Sequence, residues 1–219
     1  MLSTDCPSPW SHFRSAPLVS PNSDSPECFS RIREWIENCE KNHPKCSMKD
    51  ATPLPARVVN IGRTAQGYKP FLYESSGDTA SYAALSYVWG ADLPLRTTKS
   101  TIARHRKKIK WSLIPKTIQD AIVITDQLGL EYLWVDSLTI IQDDPVDWQR
   151  ESGKMAGIYS NAYITIAATA AKGCRSGIFA SRSADVVSVW PLDGVDHDPK
   201  QVQEKPGPIL ARPTRYTGI

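Results

Sequence analysis

The sequence predicts an α/β fold in which helices flank a largely parallel central sheet. Three short apolar segments, residues 82–89, 132–135 and 163–168, have the composition of buried strands. Segments with apolar residues at helical spacing separate them, one after Pro115 and one after Asp144. Because strands that alternate with helices are joined by crossover connections, they run parallel in one sheet.

The first predicted element is a helix that begins at Pro26. Ser25 supplies an N-cap, proline is favoured at the first helical position, and Glu27 places an acid in the first turn. Apolar residues follow at helical spacing, and residues 42–44 end the helix.

The next elements are extended. Residues 56–61 predict a strand, and residues 67–73 resemble a hairpin. The apolar segment 82–89 predicts a buried strand. The connection at residues 91–114 is polar and basic, and we expect a short helix in it near Ile102.

The second half of the predicted core starts with a helix opened by Pro115 and ended by Gly129 at the C′ position. Residues 132–135 form the second strand, which we expect to continue towards Ile141. Asp144 then caps another helix, whose apolar face is predicted to carry Trp148, Met155, Ile158 and Tyr159. Residues 163–168 are the third strand.

These elements predict one domain over residues 26–182. It divides into a helix and lead-in at residues 26–80 and a core at residues 81–182. Residues 1–25 are rich in Ser, Pro and Asp and predict a mobile tail. Residues 183–219 lose periodicity and predict an irregular tail.

The sequence points to a protein of the cytosol or nucleus, and we expect the cytoplasm. No apolar stretch approaches the roughly 18–20 residues of a membrane helix, and residues 1–10 lack a secretory signal pattern. We therefore expect no membrane span. The net charge is only +3 among 219 residues, which favours no strongly charged partner. The five cysteines are an odd number and are expected to be reduced in the cytosol.

Four residues near the first helix have side chains that bind zinc: Cys28, Cys39, His43 and Cys46. The spacing C-x3-H-x2-C is not a common zinc-finger pattern, and Cys28 and Cys39 also suit the buried face of a helix. We expect no metal here.

The segment RHRKKIK at residues 104–110 concentrates positive charge. Such a run contacts nucleic acid or anionic lipid in some proteins, but it lacks the aromatic residues of single-strand binders. We favour a solvated basic helix face and expect no nucleic-acid partner.

Three segments together resemble the fungal heterokaryon incompatibility (HET) domain. They are residues 82–90 (YAALSYVWG), residues 114–144 (IPKTIQDAIVITDQLGLEYLWVDSLTIIQDD), and residues 147–169 (DWQRESGKMAGIYSNAYITIAAT) followed by GCRSGIF. The resemblance covers roughly residues 28–182. It implies a cytosolic module of self/non-self recognition, innate immunity and programmed cell death. It also implies a three-layer arrangement like that of TIR domains, to which HET domains have been compared.

Two carboxylates are the candidate catalytic residues. NAD-cleaving TIR domains use a glutamate on a helix, and by that resemblance Glu151 is the candidate that stabilises a ribosyl cation as nicotinamide leaves. Asp136 follows an apolar strand, where ligand sites of parallel sheets gather, and an acid there suits a ribose hydroxyl or a base role. The alternatives are a surface acid favoured near a helix N-terminus for Glu151 and a loop cap or ion-pair partner for Asp136.

The end of the first core strand supplies the candidate binding residues Ser86, Trp89 and Gly90. Glycine permits a tight turn and close approach of a ligand, and an indole stacks on a base or a nicotinamide ring. Trp89 equally suits the core or a lid. No P-loop or classical dinucleotide fingerprint occurs in the sequence.

Three functions follow from the resemblance. The first is a signalling and cell-death module that acts through protein partners or self-association. The second is a TIR-like NAD glycohydrolase that uses Glu151, with NAD as its substrate. The third is an inactive or regulatory fragment, because Thr139 stands where family members commonly have cysteine and the family's later tryptophan-containing segment is missing.

Overall fold

The computed structural model of the chain describes residues 20–43, 52–91 and 94–181. The chain divides into two compact units. One is Phe29–Phe179, and the other combines Met1–Cys28 with Ala180–Ile219. The strands that the structure describes and the candidate site belong to the first unit.

The second unit has few described residues. In it Asn22 and Ser181 form an antiparallel bridge, and the Ser23 amide donates to the carbonyl of Ala180 at 3.1 Å. Apart from residues 20–25, both predicted tails lie outside the described residues.

The described residues form six α-helices, one 3-10 turn and seven strands. The helices are α1 (Pro26–Asn42), α2 (Ile102–Lys107), α3 (Lys116–Gln127), α4 (Asp136–Thr139), α5 (Pro145–Ser152) and α6 (Met155–Asn161), with a 3-10 turn at Trp111–Leu113. The strands are β1 (Arg57–Asn60), β2 (Arg63–Thr64), β3 (Gly67–Tyr68), β4 (Phe71–Glu74), β5 (Tyr82–Ser86), β6 (Tyr132–Trp134) and β7 (Ile164–Ala167). No helix among the described residues is long and apolar enough to cross a membrane.

The central sheet is mixed, so the expectation of a largely parallel sheet is wrong. Its five strands have the order β4-β1-β6-β5-β7. β5 pairs in parallel with β6 and β7, as predicted from the crossover helices. β1 instead runs antiparallel to both β4 and β6. The chain passes from β1 to β4 through only the small β2–β3 hairpin, and a short connection of this kind joins antiparallel strands.

Side chains of the sheet alternate between two apolar layers. Ala83 and Leu85 face a cluster that includes Ile118 and Ile122 of α3. Tyr82 and Ala84 face the opposite cluster, which includes Trp134 and Ile158 of α6. Because successive residues of a strand point to opposite faces, helices cover both sides of the sheet and make a three-layer arrangement.

Several predicted elements are confirmed. α1 begins at Pro26, and the Cys28 amide donates to the Ser25 hydroxyl at 3.2 Å, as an N-cap requires. α2 begins at Ile102. α3 ends before Gly129, which has φ +74° at the C′ position.

Three predicted elements are wrong in extent. β5 ends at Ser86 rather than at residue 89. β6 does not continue towards Ile141, because the amides of Leu138 and Thr139 both bond to the carbonyl of Val135 and turn the chain into α4. The hairpin lies earlier than residues 67–73, since β3 pairs with β2 and β4 pairs with β1.

The helix predicted after Asp144 is two helices, α5 and α6, with Gly153 at the C-cap of the first. Asp144 does cap α5, and its side chain accepts from the amides of Val146 and Asp147. Trp148 does not join the buried face, because its side chain is 52% exposed. The face of α5 that turns inward carries Asp147 and Glu151.

Candidate functional site

The candidate site lies beyond the carboxyl ends of the parallel strands β5 and β6. Ser86 is the last residue of β5, and Trp89 and Gly90 follow it. Asp136 comes two residues after the end of β6. Since β5 and β6 are parallel neighbours, both loops leave the sheet at the same edge, where ligands of α/β sheets bind.

The carboxylate of Asp136 accepts hydrogen bonds from neighbouring groups. The indole Nε1 of Trp89 donates to its Oδ2 at 3.0 Å, and the Ser137 amide donates to its Oδ1 at 2.6 Å. Burial raises the pKa of Asp136 although these hydrogen bonds favour the charged form. An acid with a raised pKa at the end of a strand is suited to hold or accept a proton.

Two phenols surround this carboxylate. Tyr87 donates to the Ser137 hydroxyl at 2.9 Å, and Tyr159 of α6 donates to the carbonyl of Leu85 at 3.1 Å. Burial and the nearby charge of Asp136 raise the pKa of both tyrosines. Both phenols are therefore neutral near neutral pH, and Asp136 is the acidic group of the cluster.

Gly90 has φ +77° and packs against another backbone segment. A Cβ on Gly90 would lie 2.9 Å from the Cα of Gly173, and the Cys174 amide donates to the carbonyl of Trp89 at 3.1 Å. The structure therefore accounts for this glycine by close packing of two loops. Ser86 is exposed, and its carbonyl accepts from the Ala168 amide at 2.9 Å.

Glu151 lies in a separate network of charges. Its Oε1 accepts from Nε of Arg150 at 2.9 Å and from Nζ of Lys154 at 3.1 Å, and the residue is only 3% exposed. Arg150 also pairs with Asp147, which pairs in turn with the buried Arg57 of β1. Among the hydrogen bonds and ion pairs of the described residues, none joins Glu151 to Asp136.

The structure thus brings together one part of the predicted site. Asp136 and Trp89 share a hydrogen bond, and Ser86 and Gly90 lie in the same loop region at the end of β5. Glu151 instead pairs with Arg150 of α5 and with Lys154, which follows that helix.

Sequence reasoning missed four residues that support these two groups: Ser137, Tyr159, Arg57 and Asp147. A signal existed for Asp147, because it lies four residues before Glu151 and therefore on the same helix face. No local signal marks Arg57 as the buried partner of a residue on a distant helix.

The candidate zinc residues do not form a metal site within the described part of the chain. Nδ1 of His43 lies 3.4 Å from Sγ of Cys39, one helical turn apart. Cys46 lies outside the described residues. Over residues 20–43, 52–91 and 94–181, no three His, Cys, Asp or Glu side chains are grouped closely enough to hold a metal ion.

Comparison with known proteins finds a protein-family model that matches part of the chain. The family model described as "Heterokaryon incompatibility protein (HET)" matches residues 82–212. That range begins at β5 and includes Asp136, Glu151, Ser86, Trp89 and Gly90, whereas Arg57 and the candidate zinc residues precede it. No curated protein and no solved structure matches the chain.

Proposed function

The chain belongs to the heterokaryon incompatibility (HET) family, and from this premise we propose that it is a signalling module for cell death in fungal self/non-self recognition. In this proposal the protein acts in the cytoplasm through association with a second copy or a protein partner. The family supports a role related to heterokaryon incompatibility, and the surface of α5 supports the mode of action.

The observation that carries the proposal is the inverted character of α5. Its inward face bears Asp147 and Glu151, both 3% exposed, whereas Val146 is 72% exposed and Trp148 is 52% exposed. A surface helix ordinarily turns its apolar residues inward and its acids outward. Exposed tryptophans are enriched at protein interfaces, where they supply much of the binding energy.

Ion pairs keep α5 in this orientation. Arg57 reaches Asp147 from the sheet, and Arg150 and Lys154 pair with Glu151 from the helix and its end. Turning Trp148 inward would break the pair that joins Asp147 to Arg57 of the sheet, and removing one partner of a buried pair is costly. The apolar side chains are thus presented to solvent by the fold itself.

The test is substitution of Trp148 by glutamate in the full chain. We expect Trp148→Glu to weaken self-association in sedimentation velocity, or binding to the partner, and to reduce cell death on expression in a fungal host. Trp35 of α1 is 65% exposed and supplies a matched control, because Trp35→Glu makes the same change on another helix. Equal association and toxicity of the wild type and Trp148→Glu would contradict the proposal.

Asp136 favours a second candidate function, cleavage of NAD as in TIR-like glycohydrolases. Its raised pKa and its bond to Trp89, at the edge of the sheet where ligands bind, suit a group that handles a ribose. In this proposal Ser86, Trp89 and Gly90 contact the nucleotide, and either Asp136 or Glu151 stabilises the ribosyl cation.

Incubation of the purified chain with NAD separates the two functions. Release of nicotinamide supports the hydrolase, and toxicity without turnover supports the association module. Asp136→Asn and Glu151→Gln then identify the carboxylate, because only the substitution of the reacting group abolishes turnover in a folded variant. If the chain neither releases nicotinamide nor kills cells, we assign it a regulatory role, in line with Thr139.

We further propose that the functional domain spans residues 26–182. It therefore begins before residue 82, where the match to the family model begins. β1 and β4 lie at residues 57–74, outside the matched range, yet β1 pairs with β6 in the central sheet. Without β1, the edge of β6 would expose unpaired backbone groups. Expression of residues 82–212 alone should therefore give less folded protein than expression of the whole chain.

A further inference from the structure

A small pocket lies where α2 leads into the 3-10 turn at Trp111–Leu113. Its volume is about 200 Å³. Leu95, Ile109 and Leu113 supply its apolar wall. Leu113 is 53% exposed although it is a large apolar side chain, so this wall is open to solvent.

Four residues with cationic side chains line the same pocket: Arg104, Lys107, Lys108 and Lys110. Within the described part of the chain none of these four forms an ion pair, whereas Arg106 of the same helix pairs with Glu74 at 2.7 Å. Like charges in so short a segment repel one another, and an anion relieves that repulsion.

The pocket wall is fixed by buried hydrogen bonds. The amide of Ile109 donates to the carbonyl of Pro70 at 2.7 Å. The hydroxyl of Thr97 donates to the carbonyl of Leu138 at 2.6 Å, and it therefore accepts from Nδ1 of the buried His105 at 2.9 Å. A preformed wall lowers the entropic cost of binding.

The alternative is that the cations only compensate the negative end of α2. Cations near a helix C-terminus are favourable for that reason. Compensation explains the charge but requires no apolar wall, and α2 has only six residues. An exposed leucine beside cations that form no ion pair with a described residue suits an amphipathic anion, whose apolar group can cover the leucine while its acid meets the cations.

We propose that this pocket binds a small soluble organic anion, a carboxylate or phosphate attached to one aromatic or short aliphatic group. Pockets for drug-sized ligands measure roughly 300–1,000 Å³, so this one accommodates a single apolar group. The acid contacts the lysines, and the apolar group covers Leu113. This inference is independent of the proposed function, because it involves none of the residues of the Asp136 cluster or of α5.

Phenyl phosphate is the probe that tests this proposal, measured by isothermal titration with the full chain. We expect binding that weakens with rising salt, and at least about tenfold weaker binding of inorganic phosphate, which lacks the ring, and of benzyl alcohol, which lacks the charge. The double variant Lys107→Gln/Lys110→Gln should lose about tenfold in affinity. Lys172→Gln removes the charge of one exposed lysine elsewhere and should not alter binding.

A second variant tests the apolar wall. Leu113→Asn should weaken phenyl phosphate binding and leave the weak binding of inorganic phosphate unchanged. Unaltered thermal midpoints of the variants show that they are folded, as the exposure of the substituted side chains leads us to expect. Absence of binding to the wild type, equal affinity for both phosphates, or equal loss in Lys172→Gln would overturn the proposal.

Discussion

The guanidinium of Arg57 in β1 is paired with the carboxylate of Asp147 in α5, and both side chains are buried. Nε of Arg57 also donates to the carbonyl of Thr139 at 2.5 Å, and the Ile141 amide donates to Asp147 at 2.8 Å. One buried group thus joins an inner strand of the sheet, the end of α4 and the start of α5. The orientation of α5, and with it the exposure of Trp148, depends on this pair.

Replacement of Arg57 by methionine should destabilise the protein strongly. Methionine fills much of the volume but leaves the Thr139 carbonyl without this donor and Asp147 without its partner from the sheet. Removing one partner of a buried pair costs about 3–5 kcal/mol in the free energy of unfolding. Arg106→Met removes an exposed pair with Glu74 and should cost less than about 1 kcal/mol. Urea denaturation measures both, and equal small losses would show that the buried pair does not hold α5.

Loss of the proton from Asp136 should lower the free energy of unfolding as pH rises. Burial raises its pKa above the ordinary value of 3.8, so the folded state binds its proton more tightly than the unfolded chain. Between 3.8 and the raised pKa the folded state carries more protons, and the free energy of unfolding therefore decreases with pH. As pH rises over that window, we expect the free energy of unfolding of Asp136→Asn to increase relative to that of the wild type. Urea denaturation at several pH values checks this, and a constant difference would contradict it.

The pKa of Asp147 is shifted in the opposite direction to that of Asp136. Burial alone raises the pKa of its carboxyl, but hydrogen bonds from Arg57 and the Ile141 amide, together with the charges of Arg57 and Arg150, outweigh burial and lower the pKa. Its contribution to stability is present above the ordinary value of 3.8 and is lost as pH falls through the lowered pKa. Carboxyl titration by NMR should therefore place the midpoint of Asp136 above that of Asp147.

Elements with local signals were predictable from the sequence. α3 follows Pro115 and stops before Gly129, and both ends depend on residues at the ends themselves. The parallel pairing of β5 with β6 and β7 follows from the helices between them. The position of β1 between β4 and β6 could not be inferred, because nothing local fixes the partner of a short apolar strand.

The same distinction holds for the candidate site. Asp136 and Trp89 are 47 residues apart, yet each lies at the end of a predicted strand, and parallel pairing brings such strand ends to one edge. The partners of α5 were not predictable. Arg57 and Asp147 are 90 residues apart, and hydrophobic periodicity assigns Trp148 to the core when the buried face is in fact charged. A buried ion pair inverts the pattern on which that inference depends.

Substitution of Gly90 by alanine should separate two packed loops. The added Cβ would meet the Cα of Gly173 at 2.9 Å, and the φ of +77° is unfavourable for alanine. Gly129→Ala is the matched control, since its φ is +74° but no atom lies within 4 Å of its Cβ. The control should cost about 1–2 kcal/mol from backbone strain alone. We expect a larger loss for Gly90→Ala by urea denaturation, and equal losses would show that the contact with Gly173 adjusts without cost.

Asp120 should fix the segment that follows β7 onto α3. Its buried Oδ2 accepts from the amide of Ile178 at 2.8 Å, and its Oδ1 pairs with Lys116. Asp120→Asn keeps the shape but removes the charge, and hydrogen bonds to charged groups contribute about 1.5–3 kcal/mol. Amide hydrogen exchange at Ile178 should therefore accelerate by at least about tenfold, because that free energy exceeds the 1.4 kcal/mol that corresponds to a factor of ten. Asp126→Asn changes the same residue type further along α3, where Arg63 and Tyr68 are the partners, and should leave exchange at Ile178 unchanged. Equal exchange in both variants would mean that packing, rather than Asp120, holds the segment in place.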